Sequence, residues 1–141
     1  MKILEVGAGI GSMTDVMLRT LGNTENRNPQ YAQWDFTDKS GSSFASVQDQ
    51  FHQEAGRMQF KLLDIEQDPE KQEFECGTYD IVVASMVRSY FFLERSQLLT
   101  TMQVIHATSN IKDALGNARK LLKPLVPFPT LNVLINLTHN I

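Results

Sequence analysis

Short apolar runs alternate with polar, turn-rich stretches along this chain, and the runs predict its elements. KILEV, residues 2–6, is mostly apolar and stops at Gly7, which reads as a short buried strand. Ser12 follows as a candidate helix cap. Met13, Val16, Met17 and Leu21 recur at helical spacing and predict a helix to about Leu21. GNTENRNPQ, residues 22–30, is a turn-rich loop. YAQWDFTD, residues 31–38, predicts a second strand ending in Asp38. Phe44, Val47 and Phe51 share one face of a second helix that starts at Ser42 or Ser43 and runs to about Glu54. MQFKLLD, residues 58–64, predicts a third strand ending in Asp64, and EQDPEKQEFECG is an acidic connection. YDIVVAS, residues 79–85, has an apolar core unbroken from Ile81 to Ala84, as a central parallel strand should. NIKDALGNARKLLKP, residues 110–124, is an amphipathic helix stopped by Pro124, and LNVLINL, residues 131–137, predicts a fifth strand.

Strands alternating with helices argue a parallel sheet covered on both faces. Right-handed crossovers make such a sheet doubly wound. Ligands bind these sheets at the carboxyl ends of the strands, where the strand order switches. The glycines after strand one, Asp38 after strand two and Asp64 after strand three all fall there.

Composition narrows the classes. The 141 residues allow one domain with one sizeable core. With 42% apolar and 21% charged residues this is an ordinary globular composition. The net charge is −3 and the basic residues are scattered, which argues against nucleic acid or a membrane surface as partner. Cys76 is the single cysteine, so no internal disulfide forms and a reducing, cytoplasmic location is expected. No apolar run reaches the ~18 residues of a membrane span. Glu5 and the glycines interrupt any signal-peptide core, so no secretory leader is expected.

Gly7, Gly9 and Gly11 permit positive φ and a close backbone approach to a ligand. Taken alone they also suit a tight strand-to-helix turn with nothing bound. The dinucleotide fingerprint wants its third glycine at position 12, where this chain has Ser12. That turns the reading from NAD towards a nucleoside without a pyrophosphate. Asp38 has two acceptor oxygens for a pair of ribose hydroxyls, and Asp64 can accept from an adenine amino group. A single Asp at a strand end is ordinarily a turn former or cap. Two acids and a glycine turn at three successive strand ends are a stronger signal.

LEVGAGIG, FTDKS, MQFKLLDIEQDP, FECGTYDIVVAS and VIHATSNIKDALGNARKLLKP together resemble an S-adenosylmethionine-dependent class I methyltransferase. The closer resemblance is to the C-methyltransferase domain of fungal iterative polyketide synthases. It spans roughly residues 2–85 and 104–124, and less clearly 131–138. It implies a Rossmann-like doubly wound parallel sheet of the class I methyltransferase type, with S-adenosyl-L-methionine as cofactor. By resemblance, Glu5 and the turn through Gly7, Gly9 and Gly11 hold the cofactor's methionine end. Asp38 binds ribose, and Asp64 with Ile65 flanks adenine. His106 is the general base that takes the α-proton of a β-ketoacyl thioester, a small molecule or one borne by a carrier protein. No metal is required.

The chain departs from that pattern in three ways. It begins at the first strand and stops after the fifth, so the expectation is a single partial domain over 1–141, incomplete at both ends. Residues 86–102, MVRSYFFLERSQLLTTM, interrupt a strand that in the family runs almost directly into VIHAT. They read either as a translated, unspliced intron or as a helical lid. LVPFPT stands where the family has a Gly-Gly turn, and Asn136 stands where a Glu would pair with the catalytic His. An amide cannot raise histidine basicity as a carboxylate does. Two functions are therefore expected: an impaired polyketide-type C-methyltransferase, or a catalytically silent nucleotide-binding or interaction module derived from it. An NAD-dependent oxidoreductase is disfavoured by Ser12.

Overall fold

The computed structural model describes residues 1–22, 28–84 and 110–124. The segment 86–102, the expected fifth strand, His106 and Asn136 lie outside the described residues. The elements are β1 (Lys2–Val6), α1 (Ser12–Leu21), β2 (Gln33–Asp38), α2 (Phe44–Gln50), β3 (Met58–Leu62), β4 (Ile81–Ala84) and α3 (Ile111–Leu121). The four strands among the described residues are parallel, in the order β3-β2-β1-β4. The chain steps outwards through β2 to β3, then returns to the other side of β1. The carboxyl end of β1 is therefore the switch point of the sheet. Val6 lies beside Thr37 and Ala84, and Asp38 lies beside Leu62, so the strand ends are level.

Alternation along the strands divides the core in two. On one face Ile3, Trp34 and Phe36 pack with Val47 and Phe51, under Met13, Met17 and Leu21 of α1. Phe36 lies 5.0 Å from Phe60 and 6.0 Å from Phe44, ring centroid to ring centroid. On the other face Leu4 and Val6 pack with Leu63, Ile65, Phe74 and Tyr79 beneath Ala114 and Leu121 of α3. Each fully enclosed large side chain contributes roughly 1.5–3 kcal/mol. The second face also holds a polar contact. The enclosed Asp35 carboxylate accepts from Lys61 Nζ at 2.9 Å, the Tyr79 hydroxyl at 2.5 Å and Gln33 Nε2 at 2.6 Å.

Several boundaries differ from expectation. Ser12 is the first residue of α1 rather than its cap; the cap is Gly11, left-handed at φ 81° with no capping side chain. Val16 is 59% exposed, because α1 turns Thr14 inwards to meet Glu5. The second helix is broken: 3-10 turns at 41–43 and 52–54 flank α2. Phe51 leaves the helical conformation at φ −105°, ψ 29°, and its ring lies against the backbone of Gly11. β3 stops at Leu62, two residues before Asp64, and Tyr79 precedes β4, bridged only to Leu122. α3 ends at Leu121 with Leu122 already extended, one residue ahead of Lys123, where the following Pro124 disfavours helical backbone.

Candidate functional site

The turn after β1 is shaped by three positive φ angles: 64° at Gly7, 58° at Gly9 and 81° at Gly11. Side chains other than glycine adopt that region at a penalty of roughly 1–2 kcal/mol. Gly11 has a second reason to be glycine. A Cβ there would stand 2.6 Å from Phe51 Cε2. At Gly9 a Cβ would meet nothing within 4 Å, so this peptide lies open. The turn is tied down on every side. The Ala8 N–H donates to the Thr37 carbonyl at 2.9 Å, and the Ser43 hydroxyl donates to the Gly9 carbonyl at 2.6 Å.

Asp38 closes the arrangement from β2. Its Oδ2 accepts from the Gly9 N–H and its Oδ1 from the Ser40 N–H, each at 2.9 Å. Asp64 stands beyond the end of β3. Its Oδ1 accepts from the Glu66 N–H at 3.1 Å, and its Oδ2 is paired with Lys39 Nζ at 2.8 Å. That ammonium is the main reason the Asp64 carboxyl is held below the usual carboxylate range. The Asp64 peptide is gripped by one side chain. Its N–H donates to Gln72 Oε1 at 2.8 Å, and Gln72 Nε2 donates back to its carbonyl at 2.9 Å. From α3, Asn117 Nδ2 donates to the carbonyls of Ile65 and Gln67, both at 2.9 Å. The Ile65 side chain is buried in the second core.

Glu5 is placed differently from its neighbours. It is fully enclosed, at 0% exposure, beneath the start of α1. Its Oε2 accepts from the Thr14 hydroxyl at 2.7 Å and from Trp34 Nε1 at 3.0 Å, while Oε1 has no hydrogen-bond partner among the described residues. Burial pushes its carboxyl up to about 7 against the two hydrogen bonds, which pull it down. In this conformation the side chain touches no solvent, and its contacts are with Thr14 and Trp34.

No family model matches the chain. It is 44% identical over 123 residues to the compactin diketide synthase of Penicillium citrinum and 41% identical over 123 residues to the lovastatin diketide synthase of Aspergillus terreus. Each match covers 87% of this chain, which spans about 4% of the length of either relative. Among solved structures, the C-methyltransferase domain of the citrinin polyketide synthase superposes at a TM-score of 0.63 with 27% identity, over 88% of this chain and 26% of that one. The chain belongs to the C-methyltransferase domains of fungal highly reducing polyketide synthases. A methyltransferase domain of this family, with its parallel four-stranded sheet, is also similar to the trans-methyltransferase CalH. The TM-score there is 0.71 with 33% identity, over 88% of this chain and 29% of that chain. CalH was solved in complex with S-adenosylhomocysteine.

Some residues that build this candidate site escaped the sequence. Lys39 reads as a solvated charge after a strand. Gln72 lies in an acidic connection with no pattern. Asn117 did carry a signal: it occupies the apolar stripe of α3 between Ala114 and Leu121. A polar residue on such a stripe has a buried hydrogen-bonding task. Among the described residues no helix is long and apolar enough to cross a membrane.

Proposed function

We propose that this methyltransferase domain binds S-adenosyl-L-methionine at the carboxyl ends of β1, β2 and β3 and serves α-carbon methylation of a β-ketoacyl thioester. The observation that carries the reading is the union of the open glycine turn with two acids at adjacent strand ends. These residues suit the cofactor. The open peptide of Gly9, between Gly7 and Gly11, accommodates the methionine portion at close range. Asp38 has lone pairs left for ribose hydroxyls, and Asp64 for the adenine amino group. Ile65, with its side chain in the core, contributes its main chain. Glu5 supports the turn from beneath. When bound, the cofactor supplies a methyl group made electrophilic by the sulfonium.

His106 is the general base of this reading. Its imidazole, with an unperturbed pKa of about 6.5, removes the α-proton of the thioester near neutral pH. The electron pair left on the α-carbon is the nucleophile. Carriage of the acyl group by a carrier protein follows from the same reading, as does the assignment of 86–102 as an insert. Asn136 in place of a carboxylate leaves the imidazole less basic and the rate low.

Calorimetric titration of the chain with S-adenosylmethionine and with NAD tests the binding half. Heat with the former and none with the latter is expected. Heat with NAD alone overturns the reading. His106→Ala should abolish methyl transfer to a β-ketoacyl thioester without loss of cofactor binding.

A further inference from the structure

Lys39 directly follows the Asp38 carboxylate but does not pair with it. Its side chain reaches across from the end of β2 to Asp64 beyond β3, with Nζ 2.8 Å from Oδ2. Oδ1 of that carboxylate already accepts from the Glu66 N–H within its own turn. Oδ2 meets the Lys39 ammonium, so a donor arriving at that oxygen from outside shares it or competes for it. The pair also ties the residue after Asp38 to Asp64, and these are the two acids that a nucleoside held by both has to reach. We propose that Lys39 is a latch on the nucleoside subsite, whose ammonium competes with an exocyclic amino group for Asp64 and swings out when an adenosine moiety binds. The inference rests on the cofactor-site reading given above.

The opposite role, a lysine needed to keep Asp64 ionised, is not required. A carboxylate that is 23% exposed is ionised at neutral pH without help, since its unperturbed pKa is about 3.9. The Lys39 side chain is 71% exposed and loses little by leaving, because water solvates the freed ammonium. Glu66 adds attraction to the same ammonium, which strengthens the closed position. The latch discriminates. A ligand that brings a donor to Asp64 recovers what it displaces, while one that brings only an acceptor there takes the Lys39 ammonium as its donor and leaves Asp64 unpaired.

The test is titration of the full 141-residue chain with adenosine and with S-adenosylhomocysteine, neither of which has a net charge. Lys39→Met should bind both about two- to fivefold more tightly than the unaltered chain at low salt, the range expected for an exposed ion pair. The gap should close as salt screens the pair in the unaltered chain. Lys39→Arg should bind like the unaltered chain. Equal or weaker binding by Lys39→Met, or equal tightening by Lys39→Arg, overturns the latch and leaves the cofactor reading standing. Failure of every form to bind either ligand at millimolar concentration overturns both.

Discussion

The Gly9 N–H donates to the Asp38 carboxylate at 2.9 Å, so the turn after β1 and the acid ending β2 are one hydrogen-bonded unit. The two are separated by 29 positions in the chain. Asp38→Ala should lose binding of S-adenosylmethionine and, with it, about 1–3 kcal/mol of stability, the range for a hydrogen bond to a charged group. Asp38→Asn keeps an acceptor for Gly9. It should stay within about 1 kcal/mol of the unaltered chain in urea unfolding while still binding cofactor more weakly by calorimetry.

Two glycines of that turn should answer differently to the same change. Gly9→Ala meets only the left-handed backbone penalty, roughly 1–2 kcal/mol, because no atom lies within 4 Å of the new Cβ. Gly11→Ala adds a 2.6 Å approach to the Phe51 ring and should be destabilised further, by about 1–3 kcal/mol more. Phe51→Leu should rescue part of the Gly11→Ala loss and none of the Gly9→Ala loss. A urea-unfolding double-mutant cycle reads this directly.

Glu5 makes stability depend on pH. Burial pushes its carboxyl up to about 7 in the folded chain, against 4.5 for a free glutamate side chain. Between those values the folded state keeps a proton that the unfolded state has released, so stability falls as pH rises and levels off above 7. Unfolding free energy should drop by roughly 2–3 kcal/mol between pH 5 and pH 8. Glu5→Gln keeps an acceptor for Thr14 and Trp34, and should be flat over that window. An equal slope in both proteins would assign the effect elsewhere.

The parts of this fold that the sequence made legible are those written locally. The glycine run, Asp38 and Asp64 each mark a change from an apolar run to polar punctuation, and the parallel sheet brings all three to one edge. The break at Phe51 was hidden, because Phe44, Val47 and Phe51 keep helical spacing through it; the ring leaves that path to pack against Gly11. Val16 kept the spacing too, yet α1 is rotated to bring Thr14 to Glu5. The enclosure of Glu5 depends on Thr14 and on Trp34, 29 positions away, and no one-dimensional pattern announces that meeting. Lys39 and Gln72 find their partners across a strand end or a loop, for the same reason beyond the reach of periodicity.

Asn117 offers a test of how far α3 steadies the site. Its amide holds the carbonyls of Ile65 and Gln67, on either side of Glu66. Asn117→Ala leaves two carbonyls without that donor and should lower stability by about 1–3 kcal/mol. Amide exchange through residues 64–68 should speed up more than exchange in β1 or β2. Uniform acceleration would mean that α3 supports the whole sheet rather than this turn.

The contact between Asp35 and Lys61 has a meaning for folding. β3 is the most exposed of the four described strands, with Met58 its one buried residue and Leu62 59% exposed at its end, so burial alone aligns it poorly against β2. A slip of one residue would carry Lys61 to the aromatic face of Phe36 and leave Asp35 enclosed with no countercharge, a fault of several kcal/mol. The ion pair thus proofreads the alignment. Only the accepted alignment sets Asp38 level with Leu62, and so fixes how far apart the acids at the rim stand. A salt contact on one face of the sheet, its carboxylate enclosed and its lysine reaching solvent, spells out the spacing at its mouth.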